Sequence, residues 1–444
     1  MKLVVVAALL ALGACHGGEA KTKRTGSAAP VEILTGLPDA GHSGPGPSSD
    51  EIEPNDADEV ATPLAIGGTA RGRLEGDNDV DFYRIEVEQA GTLQVMLTGV
   101  EGQDLTLELA ESSGTSVAKS DRGAVRIKEG IPNAGVTPGK YDLIVRQAAK
   151  KKTKPAKAPK GKKGAAAAAG AGSDAAPPPA PVYELTAQLI TPDKTAEREP
   201  DDDRGTANDL IVTDNATGFL GWANDKDVWK LSVETLSSKN PLDIQVSAIE
   251  GVALELEIAD GVGNVLATRK APKNTPLIVR SLVPVVPEGA PPFHYLTIKG
   301  SASNPETTYT LHAQAHPQGA DEELEPNDLV DKPSEMNPER TVVHATWTPG
   351  DIDCFGLMPA QIERTVDITV DTPAEIDLAV DLMAEGKSIG SANKGGKGVA
   401  EKLSVKVPPG VKPVIRVRNP DANATAEAKY DLSVQEATTG DNVP

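Results

Sequence analysis

A pair of acidic motifs that recurs at fixed spacing is the strongest constraint on how this chain folds. The first motif reads Glu-x-Glu-Pro and is followed by two acidic or amide residues; its copies begin at Glu51, Glu197 and Glu323. The second motif is Asp-x-Asp before an apolar pair, and its copies begin at Asp79, Asp225 and Asp351. By direct count, 26 residues separate the Glu before Pro from the first Asp in every copy. This regularity predicts three structural repeats in series.

Strand-like patterns fill each repeat. Apolar residues fall at every second position in runs such as Leu105–Leu109, Leu254–Ile258 and Val366–Val370, as expected for strands with one buried face. A last strand-like run begins at Tyr183, Tyr309 and Tyr430. No segment keeps the helical period over helical length. We therefore predict an all-β protein of three tandem antiparallel β-sandwiches, jelly-roll-like, over residues 51–190, 195–317 and 321–437, with a C-terminal tail at 438–444.

The first repeat carries about 20 more residues than the others. A Lys-, Ala-, Gly- and Pro-rich segment at 148–181 accounts for them and is too poor in apolar residues to bury a core. We interpret it as a disordered hairpin insert within sandwich 1 rather than a linker between domains. Its eight Lys and one Asp give a local charge of +7. This block either binds an anionic surface or is a solvated loop.

The N-terminus has the features of an exported, lipidated protein. Met1-Lys2 precede an apolar run that ends at Leu12, and Gly13-Ala14-Cys15 then resemble a bacterial lipobox. Residues 1–14 are predicted to be a lipoprotein signal peptide, Cys15 the acylated (palmitate-bearing) N-terminus, and 15–50 a flexible tether. Because the residue after Cys15 is not Asp, the predicted location is the outer membrane. The alternative is an ordinary secretory signal.

The net charge and the positions of the cysteines and histidines argue against nucleic-acid binding, a disulfide and a zinc site. A formal net charge of −21 opposes nucleic-acid binding. Cys354 is the only thiol besides Cys15, so no disulfide is predicted, and its apolar counterparts in the sister repeats favour a buried hydrophobe. No Gly-x-Ser-x-Gly motif is present, and His312 and His316 flank a strand end where their spacing does not converge on zinc.

The motif order in the first repeat resembles the bacterial pre-peptidase C-terminal (PPC) domain. That order is Glu51-x-Glu-Pro-Asn-Asp, then Asp79-Val-Asp-Phe-Tyr, Ala90-Gly-Thr-Leu and Pro138-Gly-Lys-Tyr. The resemblance spans most of 50–436 and is weakest in the second repeat, where Asp201 replaces Asn and Trp229 replaces Tyr. It implies a non-catalytic β-sandwich of the kind appended to secreted proteases and found in collagen-binding modules.

Calcium is the cofactor that these residue types suggest. Closely spaced carboxylate and amide oxygens are ligands for Ca²⁺, and the collagen-binding relatives use such a segment with a later Asp to chelate it. The candidate ligands are Glu51, Glu53, Asn55, Asp56 and Asp79; Glu197, Glu199, Asp201, Asp202 and Asp225; and Glu323, Glu325, Asn327, Asp328 and Asp351. The alternative is that these side chains only cap turns. The second Asp of each pair, Asp81, Asp227 or Asp353, is expected to fix a turn before a core strand.

These features predict a non-enzymatic, lipid-anchored cell-envelope lipoprotein. Its repeats would bind an envelope or extracellular protein or polysaccharide, or act as a spacer. An accessory subunit of a separately encoded secreted hydrolase or protease is the alternative. A hydrolase with an unrecognised site is a third and weaker reading.

Overall fold

The computed structural model describes residues 47–148, except 77 and 124, and 179–438, except 338, 340, 422 and 423. The predicted signal peptide, Cys15, most of the tether, positions 149–178 of the insert and residues 439–444 lie outside these ranges. Within the described part of the chain, regular helix is limited to a 3₁₀ turn at Asp58–Val60. No helix among these residues has the length and apolar character needed to cross a bilayer.

Sandwich 1 is built from two facing five-stranded sheets. One sheet has the order β1-β3-β10-β5-β8, and the other has the order β2-β4-β9-β6-β7. The strands are β1 (Ser48–Asp50), β2 (Thr62–Pro63), β3 (Thr69–Gly72), β4 (Val80–Val87), β5 (Gly91–Leu97), β6 (Leu105–Glu111), β7 (Ser116–Ser120), β8 (Glu129–Val136), β9 (Gly139–Gln147) and β10 (Tyr183–Ile190).

Sandwich 2 repeats this arrangement with sheets β11-β13-β18-β15-β16 and β12-β19-β14-β17. Its strands are β11 (Asn208–Leu210), β12 (Asn215–Leu220), β13 (Lys226–Ser232), β14 (Leu242–Val246), β15 (Leu254–Asp260), β16 (Val265–Ala271), β17 (Leu277–Leu282), β18 (Phe293–Gly300) and β19 (Asn304–Ala315).

Sandwich 3 has sheets β20-β22-β27-β24-β25 and β21-β28-β23-β26. Its strands are β20 (Ser334–Glu335), β21 (Val342–Trp347), β22 (Ile352–Gly356), β23 (Arg364–Asp371), β24 (Ala379–Ala384), β25 (Lys387–Ala392), β26 (Glu401–Val407), β27 (Val414–Arg418) and β28 (Ala428–Thr438). Apart from β1, which has no counterpart in sandwiches 2 and 3, the three sandwiches share one strand order, and the predicted all-β sandwich fold is confirmed.

Alternation of side chains explains why these segments form sandwiches. In β6, Leu105, Leu107 and Leu109 are buried while Thr106 and Glu108 are only partly covered, so the strand contributes one face to the core. Each sandwich has its own core of buried Leu, Ile, Val and Tyr or Trp residues. Pairing is antiparallel throughout the sheet centres, but short parallel strands at the edges, such as β2 on β4, depart from the purely antiparallel prediction.

The strand beginning at Tyr183 belongs to sandwich 1. β10 pairs with β3 and β5, both of which precede the insert in sequence. The interpretation of the insert as a hairpin loop is wrong, however. β9 lies in one sheet and β10 in the other, so the chain between them passes from one layer of the sandwich to the opposite layer.

The end of the predicted tether also differs from expectation. Ser48–Asp50 form β1, which pairs in parallel with β3. The backbone N–H groups of an extended segment beside an open sheet edge find acceptors there, and this recruits the last tether residues into sandwich 1.

Consecutive sandwiches are joined by the same backbone contact. The opening motif of each later sandwich forms a parallel bridge with a strand of the sandwich before it, Ala134 with Glu199 at the first joint and Leu282 with Glu325 at the second. At the first joint, Gly135 N donates to Glu199 O at 2.8 Å; at the second, Val283 N donates to Glu325 O at 2.7 Å. We call these contacts joint 1–2 and joint 2–3. Both position an acidic motif between two sandwiches.

Cutting the chain at a protease site engineered between residues 149 and 178 should leave sandwich 1 intact. β10 would remain held between β3 and β5, so the two fragments should co-elute on size exclusion and separate only in denaturant. The same site placed after residue 438 serves as the control. Separation of two folded fragments under native conditions would contradict this topology.

Candidate metal centre: three acidic clusters

The opening motif of each sandwich lies along the start of the strand that carries the second Asp. Asn55 O accepts from Phe82 N at 2.9 Å, and the matching bonds in the later sandwiches are Val228 N to Asp201 O at 3.2 Å and Cys354 N to Asn327 O at 3.1 Å. The Glu–Pro peptide is cis in all three motifs. This repeated backbone arrangement brings the two sequence motifs of each copy side by side.

Both glutamates of the motif are held by backbone donors. The first accepts from the neighbouring strand or the turn after it: Arg73 N to Glu51 at 2.9 Å, Phe219 N to Glu197 at 2.7 Å and Thr346 N to Glu323 at 3.0 Å. The second accepts from the residue two positions later: Asn55 N to Glu53, Asp201 N to Glu199 and Asn327 N to Glu325, at 2.7–3.0 Å. One oxygen of each glutamate is thereby fixed in orientation.

The two aspartates of the second motif occupy the opposite positions from those expected. The first one closes the turn: Asp225 Oδ2 accepts from Gly221 N at 2.5 Å, and Asp351 Oδ2 accepts from Thr348 Oγ1 at 3.0 Å. The second one is fully buried on the strand and faces the glutamates. The strand pleat explains this, because the first Asp stands before the strand whereas the second alternates inward with the core residues.

Three groups of carboxylates result. In each group, one oxygen per residue lies within 4.8 Å of the others. Cluster 1 is Glu51, Glu53 and Asp81; cluster 2 is Glu197, Glu199, Asp201 and Asp227; cluster 3 is Glu323, Glu325 and Asp353. Of the residues predicted to bind calcium, Asp56, Asp79, Asp202, Asp225, Asp328 and Asp351 are outside these groups. The second Asp alternates with the buried residues of its strand, and this pattern was the sequence signal that could have identified it as a member of the cluster.

Cluster 1 is the most accessible of the three, and no earlier sandwich lies among the described residues that begin at 47. Glu53 is exposed and Glu51 is half-buried. The Tyr83 hydroxyl donates to Glu51 at 3.2 Å, and the Tyr183 hydroxyl donates to Asp81. The buried Asn55 side chain contributes an amide group 3.3 Å from Asp81 Oδ1 and 3.2 Å from Glu53 Oε2. With its nitrogen towards them, the amide donates to both carboxylates.

Cluster 2 is enclosed at joint 1–2. Asn133 of sandwich 1 donates to Glu197 Oε1 at 2.6 Å, and Asn208 donates to Asp201 Oδ2 at 2.7 Å. Four buried carboxylate oxygens receive no hydrogen bond of good geometry: Glu199 Oε1, Asp201 Oδ1 and both oxygens of Asp227. Within the described ranges, no Lys, Arg or His forms an ion pair with any member of the cluster.

Cluster 3 has a basic neighbour. Arg269, on β16 of sandwich 2, is buried and forms ion pairs with Glu325 at 3.1 Å, Asp328 at 2.6 Å and Asp351 at 2.9 Å. Asn327 donates to Glu323 Oε1 at 2.7 Å, and the Tyr430 hydroxyl donates to Asp353 Oδ2. Most carboxylate oxygens here therefore have a protein partner.

Burial raises the pKa of the cluster carboxyls because it penalises the charged form. It raises the pKa of Asp81 to about 8, with a further contribution from the charge of Glu51. In cluster 2, burial and the charge of Asp201 raise the pKa of Glu199 to about 10, and burial and the charge of Asp225 raise the pKa of Asp201 to about 8. The pKa of the Asp227 carboxyl is also well raised by burial and by Asp225, and the nearby Tyr309 hydroxyl offsets part of this.

The donor sets fit a calcium ion. Two Ca–O bonds of about 2.4 Å span about 4.8 Å, so one ion can contact oxygens separated by the distances found in these clusters. Unpartnered buried oxygens, as in cluster 2, are what such an ion would satisfy. The all-oxygen chemistry favours Ca²⁺ over the softer transition metals.

The remaining sequence candidates are not members of these clusters. Cys354 is buried, and burial raises the pKa of its thiol to about 12, which agrees with a packing role. His316 contacts Asp243 at 3.1 Å, and His312 contacts a backbone carbonyl. Among the described residues, neither histidine belongs to a metal-like group.

No protein-family model matches the chain, and no curated protein matches it. Among solved structures, the chain is similar to the pre-peptidase C-terminal domain of a collagenase from Bacillus anthracis, with 19% identity and a TM-score of 0.20 over 30% of this chain and 100% of that one. It is also similar to a chain in the atomic structure of Sulfolobus turreted icosahedral virus (10% identity, TM-score 0.19, 80% of this chain and 82% of that one). A triple jelly-roll structure of an archaeal virus gives 10% identity and a TM-score of 0.17, over 80% of this chain and 81% of that one. These are likenesses of β-rich architecture.

The metal-free protein should become less stable as pH rises from about 5 to about 8. A carboxyl whose pKa is raised on folding stabilises the native state below its unfolded pKa, and this contribution is lost as pH rises through the folded value, about 8 for Asp81 and Asp201. Urea melts in chelator across this range would measure the trend. Asp227→Asn, which removes one buried charge, should flatten it. Stability that rises with pH in the wild type would contradict the assignment.

Proposed function

We propose that this protein is a non-catalytic, lipid-anchored envelope lipoprotein whose three PPC-like sandwiches form a calcium-stiffened spacer. Cys15 would attach the chain to the outer membrane. The sandwiches would extend from it as a connected series and present an end to an envelope or extracellular protein or polysaccharide.

One observation carries the calcium-dependent part of the proposal: cluster 2 and joint 1–2 are built from the same residues. The Glu199 backbone bonds to Asn133 and Gly135 of sandwich 1, while its side chain contributes to the cluster. The Glu197 carboxylate accepts from the Asn133 amide. A cation among these carboxylates would therefore fix the orientation of sandwich 2 on sandwich 1.

The spacer role is supported by a second contact that both joints repeat. Glu306, three residues before Tyr309, pairs with Arg122 at 2.7 Å and Lys128 at 3.1 Å of sandwich 1. Glu427, three residues before Tyr430, pairs with Arg280 of sandwich 2 at 2.6 Å. Two equivalent attachments at each joint restrict rotation, as a spacer of defined length requires.

A non-catalytic role is supported by where the perturbed carboxyls lie. The members of cluster 2 are almost completely buried, so a polymeric substrate would have no route to them. Their partners are backbone amides, tyrosines and asparagines rather than an activated nucleophile. Co-purification with a secreted hydrolase would instead favour the accessory-subunit role.

Calcium should raise the melting temperature of the wild-type protein. An ion that binds only the native state stabilises it by about 2.7 kcal/mol per site at 100 times its dissociation constant. Asp227→Asn should be less stable than wild type in calcium but equal or more stable in chelator at pH 8, because it removes both a ligand and an uncompensated charge. Asp209→Asn, an exposed carboxylate of the same sandwich, is the matched control. Wild-type melting curves that coincide with and without calcium would exclude this part of the proposal.

Cys15→Ser should abolish acylation. Expressed in a bacterium that processes lipoproteins, the wild type should incorporate labelled palmitate and partition with membranes. The variant should do neither, because several acyl chains at about 0.8 kcal/mol per CH₂ provide the anchoring. Equal labelling of both proteins would refute the anchor.

A further inference from the structure

The two joints have the same geometry but differ at one side chain. In the sheet that contains β4 in sandwich 1 and β13 in sandwich 2, the second Asp lies in register with a residue of the far edge strand, β7 or β16. The registers are Asp81–Val145–Leu107–Ser120 and Asp227–Ile298–Leu256–Arg269. The bridging residues also match, since Ala134 pairs with Leu93 and Leu282 with Leu242 at equivalent positions. Ser120 is therefore the structural counterpart of Arg269.

These two residues behave differently. Ser120 is buried within its own sandwich, where it donates to Glu129 at 2.5 Å. Arg269 crosses the joint and places its guanidinium among three carboxylates of sandwich 3. A planar guanidinium with several N–H donors suits such a site better than an ammonium group does.

Clusters 2 and 3 differ accordingly in how many buried carboxylate oxygens lack a hydrogen-bond partner. Cluster 2 has four buried carboxylate oxygens without a hydrogen bond of good geometry, whereas cluster 3 has a single such oxygen, Asp353 Oδ1. Glu325 Oε1 lies 3.1 Å from Arg269 Nη2 in an ion pair without hydrogen-bond geometry, and Glu325 Oε2 accepts from Asn327 N at 2.7 Å. A second cation in cluster 3 would be repelled by the guanidinium and would find few free ligands.

We propose that Arg269 is the resident counter-cation of cluster 3, so that joint 2–3 is closed without metal while joint 1–2 takes a calcium ion. The chain would then contain one metal-dependent joint and one permanent joint built on the same framework. Loss of calcium would loosen sandwich 1 from sandwich 2 and leave sandwiches 2 and 3 attached to each other.

The metal-dependent half of this inference rests on the proposed function, but the role of Arg269 is tested separately. Calcium is counted per chain by elemental analysis after dialysis into buffered calcium. Terbium luminescence is measured in parallel, because Trp347 lies beside cluster 3, with its indole N–H donating to Asp351 O at 3.2 Å. The variants are Arg269→Ser, Arg269→Lys, Ser120→Arg and Asp353→Asn.

Arg269→Ser should bind one more calcium ion than wild type and gain terbium emission that Trp347→Phe removes. Arg269→Lys should gain no ion, because it keeps the positive charge. Ser120→Arg should lose one ion, and Asp353→Asn should leave the wild-type count unchanged. Trp347 bonds to Asp351 beside cluster 3, whereas Trp229 bonds to the Tyr309 hydroxyl that donates to Glu197 of cluster 2. Emission that is lost in Trp347→Phe therefore assigns the added ion to cluster 3.

The outcomes separate the two proposals. If wild type binds no ion but Arg269→Ser binds one, the role of Arg269 stands and the proposed calcium-dependent function fails. If Arg269→Ser gains none while wild type binds calcium, the role of Arg269 is refuted. If Arg269→Ser does not fold, two variants made in the otherwise wild-type protein provide the test. Fewer calcium ions per chain in Asp353→Asn, or loss of terbium emission in Trp347→Phe, would overturn the inference. An unchanged calcium count and unchanged emission would support it.

Discussion

The balance of charge inside the joints is the constraint on which the rest of this architecture depends. Each repeat brings at least three carboxylates together, and at the two joints all of them are buried. Buried carboxylates of like charge destabilise a fold unless they are protonated, paired or bound to a cation. The protein meets this requirement with Arg269 at joint 2–3, and a calcium ion is the proposed counterpart at joint 1–2.

The backbone at the joints explains why the acidic motif is placed there. Parallel bridges from Ala134 to Glu199 and from Leu282 to Glu325 attach the opening motif to the preceding sandwich while the same motif packs on its own first long strand. The glutamates are thus shared between two domains. In cluster 1, where the residues described begin at 47 and include no earlier sandwich, Glu53 is exposed although Asp81 and Asn55 are buried, so the joints add the burial of the second glutamate.

Much of the fold could be predicted from the sequence because the alternation of apolar residues and the spacing of the two motifs can be read directly along the chain. They indicated the three repeats, the sandwich class and the pairing of the Tyr183 strand on sandwich 1. The residues of the acidic clusters were harder to predict. Whether Asp79 or Asp81 faces the glutamates depends on the phase of the strand pleat, and the contact of Arg269 depends on packing between sandwiches. The layer change between β9 and β10 was also missed, since sequence proximity of two strands does not distinguish a hairpin from a crossing between sheets.

Anomalous diffraction from crystals grown in calcium would show which cation occupies each joint. We expect a calcium peak among Glu199, Asp201 and Asp227, and a guanidinium with no such peak among Glu325, Asp328 and Asp351. A strong peak in cluster 3 with Arg269 turned away, or a clearly resolved cluster 2 at high calcium that contains only water or protonated carboxyls, would contradict this expectation.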